Sequence, residues 1–344
     1  MKNPEKSEQG GNETAEDIKT RLKRDYEAAW AVGGNLDAFD SVYTPNCFVH
    51  HNPFEDIVGV EALKNGLRLL KTVFPDLHLI IDGMILYEDK SKGIGHYTQF
   101  ATHPTTGGEI RFSGMSFVYL EDGKVAEEIS FDDNLTFLSQ LGVLQYGTPG
   151  SLFKKVAEEV FPIAQSRPST YMSLDTQAKP LPALDAKIRE SLEAAFNRGE
   201  LEALDEVYAS GCVIHNFPFG DIAGLEELKR YVTVMRTAFP DLAVSIDDTF
   251  TSGGDGATVR THTGTNAGFL SPFPPTGKRA RWRSASRIFL QDGNIVEEEI
   301  RADYTSMMLQ LGLVRGKSPL TLLAIIRTGG FKKVLKAMAA AGRL

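Results

Sequence analysis

The 344 residues carry 37 Lys and Arg against 45 Asp and Glu, a formal net charge of -8, with 42% hydrophobic, 24% charged and 9% aromatic content. That is a globular composition with material for two cores, and it excludes collagenous, coiled-coil and wholly disordered chains. No stretch reaches the roughly 18 consecutive apolar residues of a membrane span, the first 16 residues are polar, and the acidic balance opposes a chain-wide attraction to nucleic acid. A cytoplasmic protein without an export signal is therefore expected. Cys47 and Cys212 cannot build a disulfide framework and lie in no metal-ligand spacing, so no metal is expected.

Residues 1–14 are read as a disordered tail and residues 15–145 as a first domain. Thr14, three residues before Asp17, makes a weak capping box, and Ile18, Leu22, Tyr26, Ala29 and Trp30 then share a helix face. Gly33-Gly34 ends that helix, and a short second one carries Leu36, Phe39, Val42 and Tyr43. A strand closing on His50 leads to a third helix, from about residue 61 to residue 73, burying Leu63, Leu67 and Leu70. From Leu77 the period changes from 3.6 to 2, and residues 77–81, 94–100, 110–120 and 125–131 read as successive strands with Asp122-Gly123 as a hairpin turn. Helices followed by strands mean α+β, and a small antiparallel sheet bent around its helices encloses a natural ligand hollow.

Residues 146–184 hold Pro149, Pro162, Pro168, Pro180 and Pro182 around the amphipathic run from Leu152 to Phe161, as expected of a linker with one short helix. The first domain then returns as residues 185–315. Cys47-Phe48-Val49-His50-His51 answers Cys212-Val213-Ile214-His215-Asn216, and Phe74-Pro75-Asp76-Leu77 answers Phe239-Pro240-Asp241-Leu242, both 165 residues on. Gln140-Leu141-Gly142 answers Gln310-Leu311-Gly312 at 170, so five extra residues are assigned to the second copy's loop from Gly268 to Gly277. A period this long is a duplicated domain rather than a solenoid. Asp185 is the expected cap of the second copy's first helix, with Ile188, Leu192, Ala195 and Phe196 on its face. Residues 316–344 are read as a basic tail, expected to be helical and without Asp or Glu, suited either to a membrane surface or to packing on the protein with its lysines wet.

The helix-Gly opening, the His-x-x-Pro block ending in Gly, the Phe-Pro-Asp-Leu run, the Phe-Leu-x-x-Pro-Pro-Thr-Gly loop, the Asp-Gly turn followed by acidic residues and the Gln-Leu-Gly close together resemble the SnoaL-like polyketide cyclases of the nuclear transport factor 2-like superfamily. The resemblance implies a tandem, cone-shaped α+β barrel of the cystatin-like kind, a curved mixed sheet wrapped around N-terminal helices. It also implies a mostly apolar pocket working without metal or organic cofactor. The cyclases abstract a proton with an Asp on the last strand, beside a His on its neighbour. Ser130 and Ser116 stand at those positions in copy one, Ile300 and Ser286 in copy two, so the chain departs from the cyclase pattern at its reacting centre.

Several other residues carry candidate chemistry. His50 and His215 hold matching places and are able to exchange a proton near neutral pH, if they face the pocket rather than backbone. Glu128 and Asp132 share the strand face of Ser130, where burial would raise a carboxyl pKa and make a base. Asp133 and Asp303 are either acids of the site or caps of the closing helices. His51, His96, Ser116, His262 and Trp30 are candidate pocket groups, with Trp30 alternatively packing on the sheet. An offset of 165 pairs His96 with Thr261 and Tyr97 with His262. Arg260 and Arg283 suit an anionic or carbonyl-bearing ligand, or else the solvated face of the second sheet.

The leading expectation is proton abstraction from a small, mainly apolar carbonyl compound, as in isomerisation or cyclisation, by one catalytic copy beside a structural or ligand-binding one. A non-catalytic binding or scaffold module, paired through its sheets within the chain or as a homodimer, is the alternative. Epoxide hydrolysis would require an Asp-Arg-Asp cluster, of which Arg260 with Asp303 offers part.

Overall fold

The computed structural model describes residues 13–51, 56–87, 89, 91–141, 181–217, 219–270 and 273–313. The first twelve residues, the expected linker helix and the basic tail lie outside the described residues. In copy one, α1 (Ala15–Trp30) opens on the expected capping box, since Thr14 accepts from the Asp17 backbone and the Asp17 side chain reaches back. The second helix is shorter than its periodicity suggests: a 3-10 turn (Leu36–Ala38) runs into α2 (Phe39–Val42), and Tyr43 already opens β1 (Tyr43–His51). A short β2 (Ile57–Val58) and α3 (Val60–Val73) precede β3 (His78–Leu86), β4 (Lys92–Thr102), β5 (Glu109–Glu121) and β6 (Lys124–Asp132), closed by α4 (Asn134–Gln140).

Copy two repeats the order. Its first helix, α5 (Pro182–Glu193), begins three residues before the expected cap, because Pro182 brings a helical φ and lacks the N–H that a first turn leaves unbonded. Asp185 lies inside that turn and accepts from Thr251 Oγ1 at 2.7 Å. A π turn (Ala194–Arg198) and a 3-10 segment (Leu201–Glu206) lead to β7 (Tyr208–Phe217), β8 (Gly220–Ala223) and α6 (Leu225–Ala238). β9 (Ala243–Ser252), β10 (Asp255–Thr265), β11 (Arg279–Gln291), β12 (Asn294–Ala302) and α7 (Tyr304–Leu311) complete it.

Each copy is one six-stranded mixed sheet, ordered β2-β1-β6-β5-β4-β3 and β8-β7-β12-β11-β10-β9, in which β1 with β6 and β7 with β12 pair in parallel and the rest antiparallel. The β5–β6 and β11–β12 hairpins turn on Asp122-Gly123 and Asp292-Gly293 with positive φ throughout (49° and 73°; 53° and 80°), the twist that tight hairpins favour. One face of each sheet packs on its helices. The opposite faces meet, with Met115, Phe117, Ile129 and Phe131 of copy one clustering with Phe250, Val259 and Ala285 of copy two. Phe117 and Phe250 are both 0% exposed, with ring centroids 5.8 Å apart, and Asp248 takes Lys92 Nζ at 2.8 Å and Tyr119 Oη at 3.1 Å across the join.

The register corrects the correspondence between the copies. Thr98 and Thr261 make the same 2.7 Å bond to Asp82 and Asp247, and Thr102 and Thr265 the same pair of bonds to Asp76 and Asp241. On β4 and β10 the offset is therefore 163, not 165, because the β3–β4 turn of copy one is two residues longer and the β4–β5 loop seven shorter. Tyr97 corresponds to Arg260, Gln99 to His262 and His96 to Val259.

Candidate functional site

The site of copy one is built on the helix-facing side of its sheet. Side chains two apart on a strand share a face, so β6 turns Glu128, Ser130 and Asp132 inward and Ile129 and Phe131 toward the other copy. Tyr97 on β4, Ser116 on β5, Tyr43 at the start of β1 and Tyr26 on α1 converge with Glu128 on a cavity of about 50 Å³. Leu22, Ile81, Met84 and Val118 give it apolar walls. Glu128 is 4% exposed and hydroxyls hold both its oxygens: Ser116 Oγ donates to Oε1 at 2.5 Å and Tyr43 Oη donates to Oε2. Burial raises its pKa above the ordinary carboxylate value, and the two hydroxyl bonds only partly oppose that.

A second polar group forms around Asp132. Its Oδ2 meets His51 Nε2 at 2.9 Å, while Oδ1 accepts from Gln99 Nε2 at 2.8 Å and from Tyr97 Oη at 3.0 Å. Burial alone would lower the His51 pKa, but the bond and charge of Asp132, with Glu128 and Asp303 farther off, leave it raised. Tyr97 Oη lies 2.9 Å from Ser130 Oγ and 3.5 Å from Ser116 Oγ, so hydroxyls connect the two carboxyl groups. Gly114 makes this crossing possible, since a Cβ there would fall 2.3 Å from the Tyr97 ring and 2.6 Å from Asp132 Oδ1.

Copy two keeps the carboxyl and its tyrosine and changes the rest. Glu298 is 1% exposed and accepts from Tyr208 Oη at 2.6 Å, but Arg260 Nη2, at the place of Tyr97, donates to its Oε1. The guanidinium also donates from Nε to Thr258 Oγ1 at 3.0 Å and from Nη2 to Ser286 Oγ at 3.1 Å. Burial alone would lower the Arg260 pKa, but the charge and hydrogen bond of Glu298, with Tyr208, leave it raised. Asn216, Ile300 and Ala302 replace His51, Ser130 and Asp132. His262 stacks on Trp282, with centroids 5.1 Å apart and planes at 7°, and places Nε2 2.8 Å from Ser284 Oγ. Burial and then Arg260 hold its pKa down at about 3, so the ring is neutral. The remaining cavity is about 30 Å³.

A family model for SnoaL-like polyketide cyclases matches residues 20–141 and again residues 186–311, most of the chain. The chain belongs to that family. Among solved structures, TsrD from Streptomyces laurentii is 21% identical over 37% of this chain and 96% of its own, with a TM-score of 0.35. IdmH from Streptomyces antibioticus is 29% identical over 37% and 96%, with a TM-score of 0.33. A protein with a ketosteroid isomerase-like fold from Catenulispora acidiphila DSM 44928 is 16% identical over 36% and 91%, with a TM-score of 0.31. No curated protein matches the chain.

Within this SnoaL-like framework, several expected site residues stand elsewhere. His50 and His215 do not face the cavities, because they occupy the alternate positions of β1 and β7. His50 sits between Asp56 and Glu127, both at 3.2 Å, and His215 between Asp221 at 2.8 Å and Glu297 at 3.2 Å. His96 also points away and accepts from Arg287 Nη1 of copy two at 2.9 Å, with burial first and then Arg287 holding its pKa down at about 3. Arg283 lies 3.5 Å from Asp247 and outside the cavity lining. Trp30 packs beside Tyr26, ring centroids 6.2 Å apart, and is not a cavity wall. Asp133 and Asp303 cap α4 and α7 through the backbones of Thr136 (3.0 Å) and Ser306 (2.9 Å), so no Arg260–Asp303 cluster forms.

Glu128, Asp132, His51, Ser116 and Ser130 do come together, as do Arg260 and His262 in copy two. Tyr43, Tyr97, Gln99 and Gly114 were not legible as site residues. One signal was available for Tyr43: both copies keep a Tyr and a Glu at the positions of Tyr43 and Glu128. Among the described residues no group of three or more His, Cys, Asp and Glu is placed to hold a metal ion, and no helix is long and apolar enough to cross a membrane.

Proposed function

We propose that copy one is a proton-transfer site for a small, mainly apolar carbonyl compound and that copy two has a structural or ligand-holding role. Glu128 carries the reading. It is a buried carboxyl on an apolar cavity, held by hydroxyls, whereas its counterpart Glu298 is neutralised by Arg260. A desolvated carboxylate with a raised pKa is a better base than one in water. The α-proton of the substrate passes to Glu128, the C–H electron pair moves toward the carbonyl, and the resulting enolate oxygen accepts a hydrogen bond from Ser116 Oγ, whose hydrogen is freed once the protonated Glu128 no longer accepts it. Where the substrate is a β,γ-unsaturated ketone, return of the proton from Glu128 to the γ-carbon of the conjugated enolate completes an isomerisation, whereas in a saturated ketone the proton returns to the α-carbon and only exchange results. A cavity of about 50 Å³ admits the carbonyl end of a ligand and little more, which favours small substrates.

The test is hydrogen–deuterium exchange at the α-carbon of a graded panel of small ketones, incubated with the full chain in D2O. Exchange is expected with the wild type and is expected to fall by about 100-fold or more in Glu128→Gln, the scale of a lost general base. A panel with no exchange, but with thermal stabilisation by a ketone that survives in Glu128→Gln, supports the non-catalytic binding reading instead. That second reading has one specific observation in its favour, the Arg260–Glu298 pair that occupies the reacting position of copy two.

A further inference from the structure

The second copy places a buried cation and a carboxyl against the first copy's site. Arg301, at the end of β12, is 7% exposed and donates from Nη2 to Ser113 Oγ of copy one at 3.1 Å. The carbonyl of that same Ser113 accepts from the Asp133 backbone at 2.9 Å, so the arginine is bonded to the strand that holds the β6–α4 corner. Asp132 and Asp133 of copy one and Arg301 and Tyr304 of copy two line one crevice of about 10 Å³ between the copies. Two adjacent carboxyl groups near a buried interface repel one another unless a cation stands by. His51 serves Asp132, while burial raises the Asp133 pKa and the Thr136 bonds, then the charge of Arg301, oppose that rise. The arrangement runs one way: the counterpart of Arg301 in copy one is Phe131, 1% exposed within the apolar join, and the counterpart of Ser113 is Arg283.

We propose that Arg301 and Asp303 of copy two are positioning residues for the His51–Asp132 pair of copy one, so that the copy whose own carboxyl is paired with a cation completes the site of the other. The assignment of that site to proton transfer rests on the reading above, but the electrostatic coupling does not. Charged and titratable groups around His51 include Asp132 on β6, bonded to it at 2.9 Å, Tyr97 on β4 and Glu128 on β6, joined to Asp132 through hydroxyls, and, from copy two, Asp303 at the cap of α7, with Arg301 two residues before it. Asp303 and Arg301 carry opposite charges and therefore act on the imidazole with opposite sign.

The experiment follows the His51 ring by NMR titration in the full chain, with His103 as a reference in the same copy. Arg301→Met is expected to raise the His51 midpoint and Asp303→Asn to lower it, each by about half a pH unit, with His103 unmoved. Arg301→Lys is expected to restore the wild-type midpoint. Unchanged His51 midpoints, or shifts of the same sign in both variants, overturn the proposal, because general loosening of the join would move both alike. Asparagine retains the capping oxygen of Asp303, so that variant decides the matter even where Arg301→Met fails to fold. No substrate is needed, so a failure of ketone exchange and a failure of this coupling are told apart.

Discussion

Tyr97 and Arg260 occupy the same register position on the fourth strand of their copies, each pointing inward at the helices. The phenol leaves room for a cavity and bonds Asp132, whereas the guanidinium reaches across and takes the carboxylate of Glu298. That one exchange separates a buried carboxyl held by hydroxyls from one already paired with a cation.

Glu128 makes the wild type's stability depend on pH in a defined sense. Its folded pKa is raised, so between the unfolded value, about 4.3, and the folded one the native state holds the extra proton, and stability falls as pH rises through that window. Glu128→Gln removes this contribution. Urea midpoints at several pH values are expected to show the variant gaining on the wild type as pH rises, and a constant difference would count against a perturbed Glu128.

Arg260→Met leaves Glu298, 1% exposed, without its cation. Breaking a buried pair from one side typically costs about 3–5 kcal/mol. The double variant Arg260→Met/Glu298→Gln is expected to recover most of that loss. Denaturant melts of the single and double variants measure it, and a single variant as stable as the wild type would show that the pair is not buried as described.

Asp132→Asn removes the strongest of the groups that oppose burial and raise the His51 pKa. The raised folded pKa of His51 contributes stability that is full below about pH 6.5 and is lost as pH rises through the folded value. Without the carboxylate, burial, which lowers the pKa, is opposed only by the charges of Glu128 and Asp303. NMR titration of the ring is expected to show a lower midpoint in the variant, with the stabilisation at low pH gone.

Cys47 and Cys212 are both 0% exposed, and burial first, then the nearby Glu128 or Glu298, pushes their thiols up to about 11. With little thiolate and no access, both are expected to be inert to a disulfide reagent in the native protein and to react stoichiometrically in denaturant. Fast native labelling of either would mean that its domain opens readily.

Much of the architecture was legible in the residue order. The duplication, the helices-then-strands order and the Asp122-Gly123 hairpin depend on local periodicity and on identity between two stretches of one chain, which a single sequence displays directly. Glu128, Asp132 and Ser130 were recognised as sharing a face because strand alternation is local. What stayed hidden was the phase of that alternation on other strands. His50 and His51 differ by one position, and only packing decided that His51 turns toward Asp132 while His50 turns toward Glu127.

Tertiary structure alone decided the rest, because the ionisation of a buried group depends on neighbours brought from strands far away in sequence. The two-residue difference in the β3–β4 turn moved the correspondence along β4 and set Tyr97, not Gly95, opposite Arg260. The Gly-Phe-Leu loop was visible from composition, yet it hid a seven-residue gain partly offset upstream, which no uniform offset reveals. Likewise, Arg301 reads as one more charge on a strand until two sheets pack face to face and bring it to Ser113. Local pattern determines which elements form and which side chains share a face, whereas the partner of each buried charge is settled by register and by the surface the other copy presents.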